Sequence, residues 1–381
     1  MDSRPWVVPP ALMNDPGEEI SELKVFDEHP QGDALLLFTL ARDLVLWGST
    51  PAAQRGELFS PEAGRGRFRQ LAASALPAQV ATLLDILASV LHTAKLAPRP
   101  GVVTEICQRI ARWARAGGMG ETALAFAQAA AIAEPMDARA AMLVGETAAA
   151  FGRFPRADTW FQRAIGIARR VRDWESYTGS YEKAGWLALG RGRTDEAENR
   201  FRTALRAARR RGISAAATHA LIGLLQVAVE TGRIDDARLR HDRAARAVRR
   251  NRTGEALLAA VSVDLWMLTG EFGRALECLD LVRLDARTRA DRMYVLARTA
   301  HAAAGAGDLD RLSDTWPHAW ELVKDTALPG RMRIRTCLEL HRAAALAGDS
   351  IRAGDAFRLA AELAGADEPG WRVLPVLPGQ P

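Results

Sequence analysis

Lysine is nearly missing from this chain. Lys24, Lys95, Lys183 and Lys324 are the only four among 51 basic residues, so Arg carries almost all the positive charge. Cysteine is scarce too: Cys107, Cys278 and Cys337 lie far apart, with no CxxC and no His–Cys cluster, which excludes a zinc site or redox pair of ordinary spacing. They read as buried thiols in a reducing cytoplasm. Aromatics make up only 6% of the residues, too few for an all-β core. The longest apolar stretch, Ala34 to Trp47, is interrupted by Arg42 and Asp43 and is too short and too charged to span a bilayer. The first residues, MDSRPWVVPPALMNDPGEE, lack a basic segment followed by an apolar one, so no secretory signal is expected and the expected location is cytoplasmic.

Catalytic patterns are also missing. No GxxxxGK[ST] occurs, and Gly190-Arg191-Gly192-Arg193 and Gly305-Ala306-Gly307-Asp308 follow no predicted strand, so both read as turns. The seven histidines (His29, His92, His219, His241, His301, His318 and His341) form no HExxH, and His241-Asp242 alone is a weak pairing. No GxSxG elbow is present. The paired acids Asp235-Asp236 and Asp308/Asp310 fall where helices are expected to start, which their charge favours. An enzyme is therefore not expected, and no cofactor or metal is expected.

What is abundant is Ala, 72 of 381 residues, which favours helix. Its placement is periodic. Gly118, Gly152, Gly192, Gly232, Gly270, Gly307 and Gly348 recur at spacings of 34, 40, 40, 38, 37 and 41. Five residues after each come Ala123, Ala157, Ala197, Ala237, Ala275, Leu312 and Ala353; twelve after come Ala130, Ala164, Ala204, Ala244, Val282, Ala319 and Ala360. Twelve of these fourteen positions are Ala, where composition alone supplies roughly three, so the chain predicts an array of helical hairpins. A bulky residue often stands nine after the Gly, as Phe161, Phe201, Leu279, Trp316 and Phe357 do, with Ala127 and His241 as exceptions.

These segments, of which AGWLALGRGRTDEAENRFRTA (184–204) fits best, resemble the tetratricopeptide repeat. Gly suits the turn, the small residues let paired helices approach closely, and an Asp or Thr just past the Gly can cap the second helix. The resemblance covers residues 104–366, with repeats longer than the family's, similar to the arrays of large bacterial transcription activators. Leu312 and His341, at positions usually small, make the last two repeats the least regular. It implies an all-α, right-handed superhelical solenoid of about seven hairpins. Ahead of it, residues 17–103 are expected to form a helical cap, with helices near Ala34–Trp47 and Ala78–Lys95 and a Ser60-Pro61 helix start. Residues 1–16 and 367–381 are Pro-rich and read as extended tails.

The resemblance further implies a protein-binding scaffold whose concave groove is lined by the first helix of each hairpin. Laid on the family's pattern, that face takes Arg112, Arg115, Arg139, Glu146, Glu182, Trp186, Gln226, Asp264, Tyr294, His301, Arg335 and Arg342. Trp186 and Tyr294 are the preferred anchors, because an aromatic on a polar face is a common binding residue. The Lys and Asn set by which chaperone-binding members clamp a C-terminal carboxylate is not reproduced, so that role is not expected. A second surface is basic: residues 104–254 hold 27 Arg or Lys against 16 Asp or Glu, a net of +11, while the segments on either side are each −3. Arg202, Arg206 and Arg209, and then Arg243, Arg246 and Arg250, recur at helical spacing and form the alternative docking face, for nucleic acid or an acidic partner. Helix ends whose arginines complement the dipole explain the same residues equally well.

Overall fold

The computed structural model describes residues 25–92, 99–286, 288–326, 328 and 330–366. The proline-rich ends and residues 93–98, which include Lys95, lie outside the described residues. The fold is an all-α helical repeat, with no strand among the described residues. It divides into two compact units, residues 1–220 and 221–381.

Unit 1 opens with α1 (Val25–Glu28), α2 (Gln31–Ser49), a 3₁₀ turn (Ala52–Glu57), α3 (Pro61–Ala72) and α4 (Ala78–His92). Three hairpins follow: α5 (Pro100–Ala116) with α6 (Gly120–Ala133), α7 (Ala138–Ala150) with α8 (Phe154–Val171), and α9 (Trp174–Gly190) with α10 (Thr194–Arg211). Helix α11 (Ser214–Glu230) runs across the division. Unit 2 continues with α12 (Ile234–Asn251), α13 (Glu255–Leu268), α14 (Phe272–Asp285), α15 (Arg289–Ala306), α16 (Leu309–Val323), α17 (Gly330–Leu346) and α18 (Ser350–Ala366).

Each of the seven spaced glycines sits between the two helices of a hairpin with a left-handed backbone, φ between 67° and 77°. A side chain would strain that turn, which is why Gly recurs there. The Ala five residues on is fully buried at 123, 157, 197, 237 and 275. The aromatic nine residues after the Gly has a socket of its own. In unit 1 a Cβ on Gly145 would stand 2.7 Å from the Phe161 ring, and one on Gly185 2.7 Å from the Phe201 ring. Glycine on the first helix thus admits a ring from the second, and both rings are fully buried.

Capping departs from expectation. Asp308 and Asp349 do accept from the N–H of Arg311 and Arg352, both at 3.0 Å. At α8, α10 and α12, however, the capping position is Arg153, Arg193 or Arg233, none with a side-chain cap bond. The residue after the glycine takes the cap position, which moves Asp195, Glu196, Asp235 and Asp236 into the first turn. There they meet the dipole and hold arginines one turn on: Glu196 pairs with Arg200 and Asp236 with Arg240. Arg200 also donates to the carbonyl of Ala184 at 3.1 Å, and Arg240 to that of Leu224 at 3.0 Å. The same clamp recurs 40 residues apart.

The first segment packs onto the first hairpin through α2 against α6. Ser60 accepts from the N–H of Ala63 at 3.2 Å and Pro61 opens α3. Two acids lie on the mostly apolar buried face of α2: Asp43 is paired with Arg67 of α3 at 2.6 Å, and Asp33 accepts from the N–H of Ala75 at 3.2 Å. Met119 provides no side-chain cap for α6, and Glu28 reaches across from α1 to do so. Its carboxylate accepts from the N–H of Glu121 at 2.7 Å, the N–H of Thr122 at 3.0 Å and the Thr122 hydroxyl at 2.8 Å.

Candidate binding face and relatives

The first helices of the three unit 1 hairpins border an open, shallow pocket of about 560 Å³, lined by Gln108, Arg112 and Arg115 of α5, Arg139, Met142, Leu143 and Glu146 of α7, and Glu175 and Ser176 of α9. Four of the residues expected on the groove, Arg112, Arg115, Arg139 and Glu146, come together here. Their pairing is loose: Arg115 lies 3.5 Å from Glu146 and Arg139 lies 3.3 Å from Glu175, while Arg112 donates to the Gln108 amide oxygen at 3.2 Å. Lys183 stands 3.8 Å from the other Glu146 oxygen. The five further lining residues were not anticipated. Met142 and Leu143 carry no charge signal in the sequence, and only their position one turn from Arg139 and Glu146 points to them; Ser176, six residues before Glu182, had no such pointer.

Glu182 and Trp186 take other roles within unit 1. Glu182 is buried and 3.5 Å from His219 of α11, and that bond is the main reason the imidazole titrates above its ordinary value, with burial working against it. Trp186 is half-buried and packs edge-on against Phe201, ring centroids 5.2 Å apart, inside its own hairpin.

In unit 2 the expected residues form a polar row along α11, α13, α15 and α17. Gln226 donates to Asp264 at 3.1 Å, and Asp264 accepts from the buried Arg298. The Tyr294 hydroxyl accepts from Arg298 at 3.5 Å and from Arg335 at 3.4 Å. His301 and Glu339 share a hydrogen bond of 2.6 Å, and Arg342 donates to Glu339 at 3.1 Å. Burial disfavours the Arg298 charge, yet Asp264, with Tyr294 and Glu339, holds its pKa above the usual range. Burial likewise opposes ionisation of Glu339, but the His301 bond and the neighbouring arginines lower its pKa. Arg298 and Glu339 stand nine residues before the turn glycine, where earlier hairpins have Arg109, Leu143, Lys183, Gly223 and Val261. Charged and uncharged residues both occur at that register, so the sequence held no signal that set these two apart.

The basic residues are all exposed. Arg202 bonds Glu198 at 2.9 Å and Arg206 bonds Thr203 at 3.3 Å. Arg202, Arg206 and Arg209 belong to unit 1, and Arg243, Arg246 and Arg250 to unit 2. Among the described residues no group of three or more His, Cys, Asp or Glu side chains could hold a metal, and no helix is long and apolar enough to cross a membrane. Cys107 is fully buried, which pushes its thiol far up; burial pushes Cys337 up to about 12.

A family model for the tetratricopeptide repeat matches residues 136–210, which spans α7 to α10. No curated protein matches the chain. Among solved structures, it resembles a Rap conjugation gene regulator of the plasmid pLS20 in complex with the Phr* peptide (TM-score 0.52, 14% identity, covering 86% of this chain and 95% of that one). It also resembles the apo form of RapI (TM-score 0.51, 14% identity, 68% and 94%) and aspartyl phosphate phosphatase F from Bacillus subtilis (TM-score 0.50, 9% identity, 85% and 94%). At these identities the likeness is one of fold. Turn glycines with left-handed backbone, buried Ala at fixed offsets and the matched segment agree: the chain has an all-α helical-repeat fold of tetratricopeptide type, with the repeat itself matched over residues 136–210.

Proposed function

We propose that the protein is a non-enzymatic interaction scaffold that holds a short extended peptide of a partner protein on the first helices of the unit 1 hairpins. The observation that carries this reading is the pocket of about 560 Å³, in which Arg112, Arg115 and Arg139 stand around the apolar Met142 and Leu143. That size suits a few side chains. An acidic or carbonyl oxygen of the peptide meets a guanidinium, and an apolar side chain rests on Met142. The 3.5 Å and 3.3 Å contacts of Arg115 and Arg139 with their glutamates are long enough for a ligand carboxylate to compete. Support by analogy comes from the Rap regulator of similar fold, whose structure contains a bound peptide; a regulatory role follows from the same analogy. The similar structure named a phosphatase lends that name to itself alone. In unit 2, exposed Arg335 beside Tyr294 is a further contact point.

Selection of random peptides displayed on phage against the full chain, followed by calorimetry on the enriched sequences, tests the reading. Arg112→Ala/Arg139→Ala is expected to weaken them about tenfold or more, as loss of central binding residues does. Trp186→Ala and Tyr294→Ala then report whether the contact extends along the wider face. Unchanged affinity in the Arg112/Arg139 variant removes the pocket from the mechanism.

A further inference from the structure

Three successive second helices end on one motif at intervals of 40 residues: Ala168-Arg169-Arg170-Val171-Arg172, Ala208-Arg209-Arg210-Arg211-Gly212 and Val248-Arg249-Arg250-Asn251-Arg252. Arginine in a last helical turn complements the dipole, which accounts for the Arg-Arg pairs. It does not account for the closing residue. Arg172 and Arg252 cap their helices with φ of 61° and 51°, where the middle motif has Gly212 at 69°. They are the only non-glycine residues with a left-handed backbone among the described residues. Glycine meets no steric penalty there and Arg does, so the strained choice adds charge at a cost to stability.

In unit 1 the motif stands beside an aromatic row. The Arg211 guanidinium lies 3.9 Å over the Trp174 ring. Trp174 meets Tyr177 edge-on at 5.6 Å, and Tyr177 meets Tyr181 edge-on at 5.0 Å. Two of the chain's three tyrosines are thus gathered at one helix start, and all three rings keep some exposure. Arg169 acts on the same row: burial and then the bond to Tyr181 raise the Tyr177 phenol, and Arg169 opposes them. Arg169, Arg172, Arg209, Arg210 and Arg211 are exposed, and the two acids beside Trp174 are engaged: Asp173 caps α9 through Ser176, and Glu175 pairs with Arg139 at 3.3 Å. No carboxylate pairs with Arg169, Arg172, Arg209 or Arg210 among the described residues.

We propose that this edge of unit 1 binds single-stranded nucleic acid, with Arg169, Arg209 and Arg210 on phosphates and Trp174 and Tyr181, together with the Arg211 plane, stacking on bases. Unpaired arginines alone would serve an acidic peptide equally well. The aromatic row beside them favours a ligand that alternates phosphates with flat rings, and a single strand exposes those rings where a duplex hides them. The edge shares no residue with the peptide pocket.

Fluorescence anisotropy with the full chain tests this, using labelled oligo-U and oligo-dT of about 20 nucleotides, a duplex of equal length and an Asp/Glu peptide. At about 50 mM salt the single strands are expected to bind more tightly than duplex or peptide, and to weaken on going to about 200 mM. Arg169→Gln/Arg209→Gln/Arg210→Gln should weaken them at least about tenfold and flatten the log–log salt slope by about 2, at about 0.7 per phosphate contact. Trp174→Leu keeps every charge and should weaken them about 5- to 100-fold with the slope unchanged. If circular dichroism shows that Trp174→Leu is misfolded, Tyr181→Leu takes its place. No single-strand binding at low salt, preference for the peptide or the duplex, or an unaffected aromatic variant each overturns the proposal.

Discussion

Adding one methyl group at Gly185 should test how each hairpin closes. A Cβ there would stand 2.7–2.9 Å from three carbons of the Phe201 ring, where carbon atoms rest at about 3.5–4.0 Å, so the ring must move by roughly 0.8 Å. Phe201 is fully buried and has Trp186 packed edge-on at 5.2 Å, which leaves little space to yield. Overpacking of this kind costs about 1–3 kcal/mol, and replacing a helical Gly by Ala returns about 1 kcal/mol of propensity. Gly185→Ala should therefore be neutral to destabilising by about 2 kcal/mol. Two comparisons isolate the contact. Gly166, mid-helix in α8 with nothing within 4 Å of an added Cβ, should gain about 1 kcal/mol as Ala. In a Phe201→Ala background, itself costing about 3–5 kcal/mol, Gly185→Ala should change sign and stabilise. Urea unfolding followed by circular dichroism reads all four variants. If Gly185→Ala stabilises as much as Gly166→Ala, or the cycle is additive, the ring-in-socket account is wrong.

Other expectations follow from single contacts. Arg172→Gly and Arg252→Gly should each stabilise the protein by about 0.5–1 kcal/mol in urea unfolding, since Gly relieves the left-handed strain but loosens the unfolded chain; destabilisation by either would show that the side chain makes a structural contact. Glu28→Ala should cost about 2–3 kcal/mol, because two N–H groups and a hydroxyl of α6 lose a charged acceptor; hydrogen exchange at Glu121 and Thr122 locates the loss, and unchanged protection there would refute it. His219 titrates above its ordinary value through Glu182, so the folded state holds its proton more tightly than the unfolded state. That stabilisation is full below about pH 6.5 and fades as pH rises through the raised folded value. The stability gap between wild type and His219→Gln should accordingly be larger at about pH 6 than at about pH 8, and an equal or reversed gap would count against the bond.

The array was legible because its determinants are local. A turn that needs φ near 70° selects Gly, and a close helix contact selects Ala, so backbone sterics write both into the chain at a fixed interval. The resemblance to the repeat family, rather than the period itself, put Arg112, Arg115, Arg139 and Glu146 on one face, and the structure brings these four to one pocket. Where local determinants stop, so does the reading. Trp186 occupies a groove register, yet its indole packs against Phe201, because rotamer and available space decide where a large ring lies. Glu28 caps a helix 93 residues away through a contact that no local pattern encodes. Arg298 and Glu339 are stable at their buried positions only because Asp264 and His301 arrive from neighbouring helices to compensate charge that burial disfavours. Asp308 and Asp349 stand directly after their turn glycines and cap, whereas Asp195 and Asp235 stand two positions past the cap and fall in the first turn instead. What the residues determined by themselves is the hairpin, its period and its small-residue seam, since each follows from forces acting within a few residues. Which carboxylate meets which guanidinium, and which side chains border the pocket, was decided by tertiary packing, because those energies depend on distances between helices that sequence spacing does not contain.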